Sequence, residues 1–153
     1  MAFTNKNLSK LLKDCETELN SLGFFLFPIT KIAFSKRLKN AYGYCRMDKG
    51  CIFDPSVGRY KDITLNITIM DGLSKLDSSK EHDLKTLVMH EAIHAIDISK
   101  SPAAPENTGE EFPGIITHGV TYDLIKKSVE KKLGYHGIDD ENHHDFNLIK
   151  KEP

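Results

Sequence analysis

The chain lacks a long apolar stretch, and this absence narrows the classes of protein it can represent. No apolar run approaches the ~20 residues that a membrane-spanning helix requires. Residues 1–14 are polar and carry lysines, so they lack the apolar segment of a signal peptide. We therefore expect no membrane partner and a location in the cytoplasm.

Cysteine is scarce, and net charge is nearly absent. The three cysteines, Cys15, Cys45 and Cys51, are too few for a four-cysteine zinc ribbon or a disulfide framework, which favours a reducing compartment. The net charge of −1 gives no indication of nucleic-acid binding. With 153 residues, 39% of them apolar and 28% charged, the chain has the composition of one globular domain.

One segment, residues 86–98, is unusually apolar and also carries chemically reactive side chains. His90, Glu91 and His94 form an H-E-x-x-H pattern, which places both histidines on one face of a helix with the glutamate beside them. A helix that is apolar nearly all round is buried. Buried imidazoles and carboxylates cost on the order of several kcal/mol unless they are satisfied, and a divalent metal would satisfy all three. The alternative is a pair of histidines bonded to backbone carbonyls, because the pattern alone also arises by chance.

The remaining segments predict an α+β domain. Apolar spacing of three and four residues predicts helices at residues 5–22, 81–99 and 120–133, and alternation predicts strands at 29–35, 39–47 and 63–69, with a short strand at 51–53. Residues 57–59 read as a turn, and the Pro- and Gly-containing residues 100–117 read as a long loop. We expect one domain over residues 1–136 and an acidic, polar tail over residues 137–153.

A catalytic zinc usually takes three protein ligands, so a third ligand must come from elsewhere. The extended pattern H-E-x-x-H-x-x-G-x-x-H fails, because Asp97 and Lys100 occupy its glycine and last histidine positions. His118 lies 24 residues after His94, at the predicted start of the last helix, where the loop can return it to the histidine face. The alternative third ligand is a glutamate of the loop, which contains Glu106, Glu110 and Glu111. The other histidines lie in polar segments and are expected to be solvated: His82, His136, His143 and His144.

Four parts of the chain together resemble the SprT-like (Spartan-type) zinc metalloproteases, over roughly residues 5–134. They are a basic segment with a Gly-x-Cys step at residues 37–46, the strand at 63–70, H-E-x-x-H-A within 87–97, and H-G-x-x-Tyr at 118–122. The resemblance implies a zincin-like fold, in which a small antiparallel or mixed sheet packs on the H-E-x-x-H helix between an N-terminal and a C-terminal helix. It also implies a metalloendopeptidase with one Zn²⁺ per chain, held by His90, His94 and His118, and Glu91 as general base.

Three further side chains are candidates for supporting roles. Tyr122 or Tyr42 is a candidate donor to the oxyanion, with packing in the core as the alternative. Asp97 is a candidate partner of a ligand histidine, with a salt bridge to a lysine as the alternative. Many family members carry a zinc ribbon or a long DNA- and partner-binding tail after the protease domain, and this chain reaches Pro153 with neither. That departure favours a microbial or viral member, in the host-cell cytoplasm if viral, and puts activation by DNA in doubt.

Residues 31–61 are basic although the whole chain is nearly neutral. They hold eight Lys and Arg against two Asp, with aromatic residues interleaved, a composition that can track single-stranded nucleic acid. Arg37, Lys39 and Arg46 are the candidate contacts, and a solvated sheet face is the alternative. Because Spartan-type enzymes cut proteins crosslinked to DNA, we expect a protein substrate and single-stranded or damaged DNA as a partner. A zinc peptidase without DNA and a metal-stabilised binding domain without turnover remain alternatives, and the oligomeric state is undetermined.

Overall fold

The computed structural model describes residues 3–105 and 116–138. Within these ranges the fold is α+β, with three α-helices, a mixed sheet and a separate hairpin. The helices are α1 (Asn5–Ser21), α2 (Glu81–His94) and α3 (Val120–Leu133). The strands are β1 (Ile29–Ser35), β2 (Gly43–Met47), β3 (Ile52–Asp54), β4 (Arg59–Lys61) and β5 (Leu65–Met70). Short 3₁₀ turns lie at Asp71–Lys75, Ser78–Lys80 and Ile98–Lys100.

The three-stranded sheet is built around β5, in the order β1-β5-β2. β1 runs parallel to β5 and β2 runs antiparallel to it, so the sheet is mixed. Leu65, Ile67 and Ile69 of β5 are buried on one face, while Asn66 and Thr68 between them are partly exposed. This two-residue period is the one that the sequence predicts for the segment. The hairpin of β3 and β4 forms a second, two-stranded sheet.

Helix α1 has the predicted amphipathic character. The Thr4 side chain accepts a hydrogen bond from the backbone N–H of Asn7, and the Thr4 backbone N–H donates to the side-chain oxygen of Asn7, which closes a capping box. The apolar face is buried against α2 and β1, through the residues Leu8, Leu11, Leu12, Cys15 and Leu19. The lysines of the helix lie on its exposed face, so α1 covers one side of α2 and leaves its own polar side in water.

Helix α2 lies at the centre of the packed layers. It contacts α1, β2 and α3, and nine of its 14 residues are buried. Its apolar side chains project in several directions and are almost completely inaccessible: Leu84, Leu87, Val88, Met89, Ala92 and Ile93. The sequence prediction of a helix buried nearly all round is therefore confirmed.

Several predicted boundaries are wrong, and the largest error concerns the end of α2. The helix ends at His94 instead of residue 99, because the next residues pair with residues 25–27. Phe27 N–H donates to Ala95 O, and Asp97 N–H donates to Phe25 O. Pairing between segments so distant in the sequence leaves no trace in apolar periodicity, so the helical pattern predicted too long a helix.

Two strands and the C-terminal boundary also differ from the predictions. The strand predicted at residues 39–47 begins only at Gly43, and β4 begins where a turn was predicted. Of the predicted tail, Gly137 and Ile138 are described, and Ile138 is buried. Most of the predicted loop and tail, residues 106–115 and 139–153, lies outside the described residues. No helix in the described ranges is long and apolar enough to cross a membrane.

Candidate metal centre

Three histidines converge on one point beside α2. His90 and His94 lie one helical turn apart on α2, and His118 lies just before the first residue of α3. The Nε2 atom of His118 is 2.9 Å from that of His94 and 3.2 Å from that of His90. One ligand atom from each of the three histidines lies within 4.8 Å of the others, so the group is close enough to hold a single ion.

Backbone carbonyls orient the two histidines of α2. His90 Nδ1 lies 2.7 Å from Ile138 O, and His94 Nδ1 contacts Ile116 O. A carbonyl can only accept a hydrogen bond, so each Nδ1 carries the proton and donates it. In the neutral ring, Nε2 then presents a lone pair to the shared point.

This arrangement fits a metal ion better than it fits an empty cluster. The Nε2 lone pairs of His90 and His94 both face the shared point, and a cation held there by the three rings would remove the repulsion between these lone pairs. A tetrahedral zinc with Zn–N distances of about 2.0–2.1 Å separates its nitrogen ligands by roughly 3.3–3.4 Å. The observed Nε2 separation of 3.2 Å between His118 and His90 is close to that value, and the 2.9 Å between His118 and His94 is shorter. The donor set, three imidazoles, is one that catalytic zinc uses.

The surroundings also keep His94 neutral. Burial lowers the pKa of His94 to about 4, and the nearby His118 ring acts in the same direction, while the hydrogen bond to Ile116 O opposes them. At neutral pH the imidazole is therefore unprotonated, the form in which histidine binds metals. Ile116 binds both the side chain and the backbone of His94, because its N–H also donates to the backbone carbonyl of His94 at 3.0 Å.

The Tyr122 ring packs against the histidine cluster. Its ring centroid lies 4.6 Å from that of His94, 4.8 Å from that of His118 and 5.5 Å from that of His90. The side chain is 2% exposed, and its hydroxyl donates to the backbone carbonyl of His90 at 3.0 Å. The ring thus packs against all three histidines while the hydroxyl binds the backbone of α2. A role for Tyr122 as an oxyanion donor stays a prediction.

Glu91 lies beside the histidine cluster, in contact with the backbone of β2. Its Oε2 is 3.9 Å from Nε2 of His90, and the residue is 1% exposed. A Cβ added at Gly43 would lie 3.2 Å from Glu91 Oε2 and 3.1 Å from Cδ1 of Ile69. Only glycine therefore allows β2 to approach the carboxylate this closely without displacing a neighbour.

A cavity of about 280 Å³ opens in front of these groups. Strand β2 forms one wall, with Gly43, Tyr44 and Cys45, and the segment 116–118 forms another. Burial, together with the Glu91 carboxylate, raises the pKa of the Cys45 thiol well above its usual range. Cys45 is therefore a neutral wall residue of the cavity at physiological pH.

Asp97 has a different role from either of those predicted. Its carboxylate accepts hydrogen bonds from the backbone N–H of Ser99 at 3.1 Å and from the Ser99 hydroxyl at 2.6 Å. These bonds cap the 3₁₀ turn Ile98–Lys100. Within the part of the chain that the structure describes, Asp97 forms no salt bridge with a lysine. The hydrogen bonds to the histidines that were expected from Asp97 are made by backbone carbonyls instead.

Of the predicted nucleic-acid contacts, Arg46 belongs to β2 and alternates with Gly43 and Cys45, which line the metal cavity. Arg37 and Arg46 line a groove of about 420 Å³ together with Lys31 and Tyr44. The Arg46 guanidinium lies 5.1 Å from the centroid of the Tyr44 ring, a cation–π distance. Lys39 is exposed but is not part of the groove lining. Tyr44 lines both the groove and the metal cavity, so the two sites adjoin along β2.

The other candidate ligands do not join the cluster or are not described. His82 stacks on the ring of Tyr135 with centroids 5.7 Å apart, and His136 is exposed. The loop glutamates and the remaining histidines lie outside the described residues: Glu106, Glu110, Glu111, His143 and His144.

Sequence reasoning missed three contributors to the site. The carbonyls of Ile116 and Ile138 are backbone groups, which every residue carries, so no residue type marks them. Gly43 does have a signal, since it belongs to the Gly-x-Cys step, but its contact with Glu91 depends on the packing of β2 against α2.

Comparison with known proteins assigns the sequence to one family. The sequence model of the SprT-like family matches residues 9–133, which confirms the resemblance drawn from the motifs. The match covers most of the chain and includes His90, Glu91, His94 and His118, while Ile138 lies beyond it. Neither a curated protein nor a solved structure matches the chain.

Proposed function

The chain belongs to the SprT-like family, and on this basis we propose that it is a zinc-dependent endopeptidase. The observation that carries the proposal is the convergence of three imidazoles, whose ligand atoms lie within 4.8 Å of one another. Next to them lies a buried glutamate, Glu91, on the helix that carries His90 and His94. His90, His94 and His118 would hold one zinc ion, and Glu91 would act as the general base. A purely structural metal site would not need a carboxylate beside the ligands, which favours catalysis over a role in stability alone.

The side chains supply the parts that peptide hydrolysis needs. Zinc, when bound, would contribute Lewis acidity and lower the pKa of water at the site to about 7. Glu91 accepts the proton of the attacking water and later passes it to the leaving amine. The water's hydroxyl is added to the carbonyl carbon, the C–N bond breaks, and the nitrogen leaves with a proton, so the reaction balances as hydrolysis. The Tyr122 ring excludes water from beneath the histidines and holds the rings in place.

The sheet favours a substrate in extended form. Strand β2 lies at one end of the order β1-β5-β2 and also lines the cavity. An edge strand presents backbone groups to which an extended peptide can add as a further strand. A peptide that runs along β2 would pass directly in front of Glu91, which supports a protein substrate cleaved within a flexible or unfolded segment.

The direct test compares the zinc-loaded protein with its Glu91→Gln variant on an unfolded protein substrate, with fragments resolved on a gel. We expect Glu91→Gln to keep its zinc and its fold and to lose about 10²–10⁴-fold in cleavage rate, the usual effect of removing a general base. Glu16→Gln on α1 is the matched control and should cleave like the wild type. Equal rates for wild type and Glu91→Gln would refute the catalytic assignment. Zinc binding without any cleavage would favour a metal-stabilised binding domain.

A second proposal concerns where the substrate is found. The basic groove beside the cavity, with Lys31, Arg37 and Arg46, supports the binding of single-stranded or damaged DNA, and cleavage of proteins held on that DNA. Phosphate contacts from Arg and Lys make such binding dependent on salt, and the Tyr44 ring offers a surface on which a base can stack. Because the groove adjoins the metal cavity along β2, a protein attached to the bound strand would lie near Glu91.

Neutralising Arg37, Lys39 and Arg46 together should weaken binding to single-stranded DNA. It should also flatten the slope of log affinity against log salt by roughly 0.7 for each lost phosphate contact. Neutralising Lys6, Lys10 and Lys13 on the exposed face of α1 removes the same charge and should leave the slope unchanged. If the wild type has no affinity for DNA at about 20 mM salt, where screening is weak, the proposal reduces to a zinc peptidase that finds its target through protein contacts.

A further inference from the structure

The residues that follow α3, 134–138, fold back across the molecule and are hereafter the C-terminal strap. Gly134 ends α3 in the left-handed conformation, with φ of +80°, which turns the chain away from the helix axis. Tyr135 is 3% exposed and Ile138 is 1% exposed. The strap is therefore packed into the domain core and reaches α2 close to the histidine cluster.

Two hydrogen bonds fasten the strap at its ends. The Tyr135 hydroxyl donates to Oε1 of Glu18 on α1 at 2.5 Å, and Lys85 of α2 donates to the other carboxylate oxygen of Glu18 at 2.7 Å. At the far end, the Ile138 N–H donates to Oε2 of Glu130 on α3 at 2.9 Å. These bonds attach the strap to α1 and α3, while Lys85 joins the same Glu18 carboxylate to α2, and together they fix the position of Ile138.

We infer that the strap is a positioning element for His90. Its Ile138 carbonyl accepts the Nδ1–H of His90 at 2.7 Å, which fixes the tautomer and rotation of the ring so that Nε2 faces the other histidines. The expected effect of the strap on zinc affinity rests on the proposed function. Its effect on the orientation of the His90 ring in the metal-free protein does not. Residues that follow α3 in the sequence thereby help to build a site whose side chains come from α2 and His118.

The two histidines of α2 depend on different segments for their orientation. His94 is held by Ile116, which precedes α3, and His90 is held by Ile138, which follows it. Loosening the strap should therefore affect His90 and spare His94. A general loosening of the domain would affect both rings, so His94 serves as an internal control for a positioning role.

The expected effect on metal binding is moderate. Groups that orient a metal ligand through its second nitrogen typically contribute about 10- to 100-fold to metal affinity. Release of the strap leaves all three imidazoles present, so zinc should still bind, with an affinity lower by about that factor.

The experiment uses the full-length protein with Tyr135→Phe, Glu130→Ala and the two changes combined. The imidazole nitrogens of the metal-free protein are observed by ¹⁵N–¹H NMR, and zinc affinity is measured by competition with a chelator. We expect faster exchange of the His90 Nδ1–H and a mixed tautomer at His90, greatest in the combined variant, with the His94 signals unchanged. Glu130→Gln keeps an oxygen acceptor and should behave like the wild type, as should Tyr60→Phe in the β3–β4 hairpin.

The outcomes separate this inference from the proposed function. Unchanged His90 signals in the combined variant would overturn it, and so would equal changes at His90 and His94. If the wild type binds no zinc, the proposed metal site is refuted, while the NMR comparison in the metal-free protein still decides the positioning role. Tyr135→Phe removes a single hydroxyl and retains the packing of the ring. This variant therefore still tests the inference if the Glu130→Ala variants fail to fold.

Discussion

Helices α1 and α2 pack against each other, but they bury different kinds of residue. In α1, 17 residues long, the five buried side chains are all apolar or thiol, and the lysines lie on the exposed face. In α2, 14 residues long, nine residues are buried, and Thr86, His90 and Glu91 are among them. Burial of the apolar face is sufficient to account for the packing of an amphipathic helix such as α1. A helix that buries imidazole and carboxylate groups must satisfy them with polar contacts, and the proposed metal site would make use of these groups on α2.

The contrast predicts that changes at the polar positions of α1, apart from Glu18 that fastens the strap, affect stability alone, while changes around the polar positions of α2 affect metal binding and catalysis. Variants in each helix test this difference, and equal responses of the two helices would refute it.

The largest effect is expected at the ligand that α2 does not supply. His118→Ala removes one of three nitrogen ligands and should lower zinc affinity by more than about 100-fold, beyond the effect of losing an orienting partner. Chelator competition gives the affinity directly. Glu110→Ala is the matched comparison, because a loop glutamate is the alternative third ligand. Retention of zinc by His118→Ala together with its loss from Glu110→Ala would show that the third ligand has been assigned to the wrong residue.

The next effect concerns acid. The pKa of His94 is lowered from 6.5 to about 4 in the folded protein, so between these values the unfolded chain binds a proton that the native state does not. The unfolding free energy of the metal-free protein should therefore fall as pH drops from about 6.5 to 4, by up to roughly 3 kcal/mol from this group. Urea titrations at several pH values measure it. His94→Gln should show a smaller loss, and identical pH profiles for both proteins would contradict the account.

A smaller effect is expected where β2 touches Glu91. Gly43→Ala places a methyl group 3.2 Å from Glu91 Oε2 and should displace the carboxylate, with a loss of about 10- to 100-fold in kcat/KM. Zinc content should not change, since no histidine lies against Gly43 in that contact. Gly50→Ala is the control, because a Cβ there meets no atom within 4 Å. Full activity in Gly43→Ala would show that the close approach of β2 does not position the base.

The smallest effect lies in α1. Thr4→Ala removes the N-cap of the helix and should lower the unfolding free energy by about 1 kcal/mol. Because no polar group of α1 contacts the histidines, zinc affinity and kcat/KM should remain those of the wild type at temperatures well below unfolding. A change in metal affinity without a change in stability would remove the distinction between the two helices.

The sequence predicts those parts of the molecule in which local pattern and burial coincide. Leu65, Ile67 and Ile69 alternate because one face of β5 is buried, and the H-E-x-x-H spacing brings His90 and His94 to one side of α2. His118 was found from its distance along the chain and from the family pattern, and the structure brings it to the other two.

The parts that the sequence did not reveal depend on contacts between distant segments. The end of α2 at His94 follows from pairing with residues 25–27, and the orientation of both α2 histidines follows from carbonyls at Ile116 and Ile138. Backbone groups carry no residue-specific signal, and Asp97, the side chain expected to perform this task, instead caps the next turn. The sequence therefore predicted which histidines lie together but not the groups that orient them, and the binding of zinc by these histidines stays a prediction.

The central claim is that the buried polar face of α2 exists to hold one metal ion through three imidazoles. X-ray absorption at the zinc edge of the wild-type protein, after loading with one equivalent of zinc, tests it most directly. The account predicts three nitrogen ligands at about 2.0–2.1 Å and one further light ligand. A sulfur ligand at about 2.3 Å, which would indicate Cys45, or a shell of oxygens without imidazole scattering would contradict it.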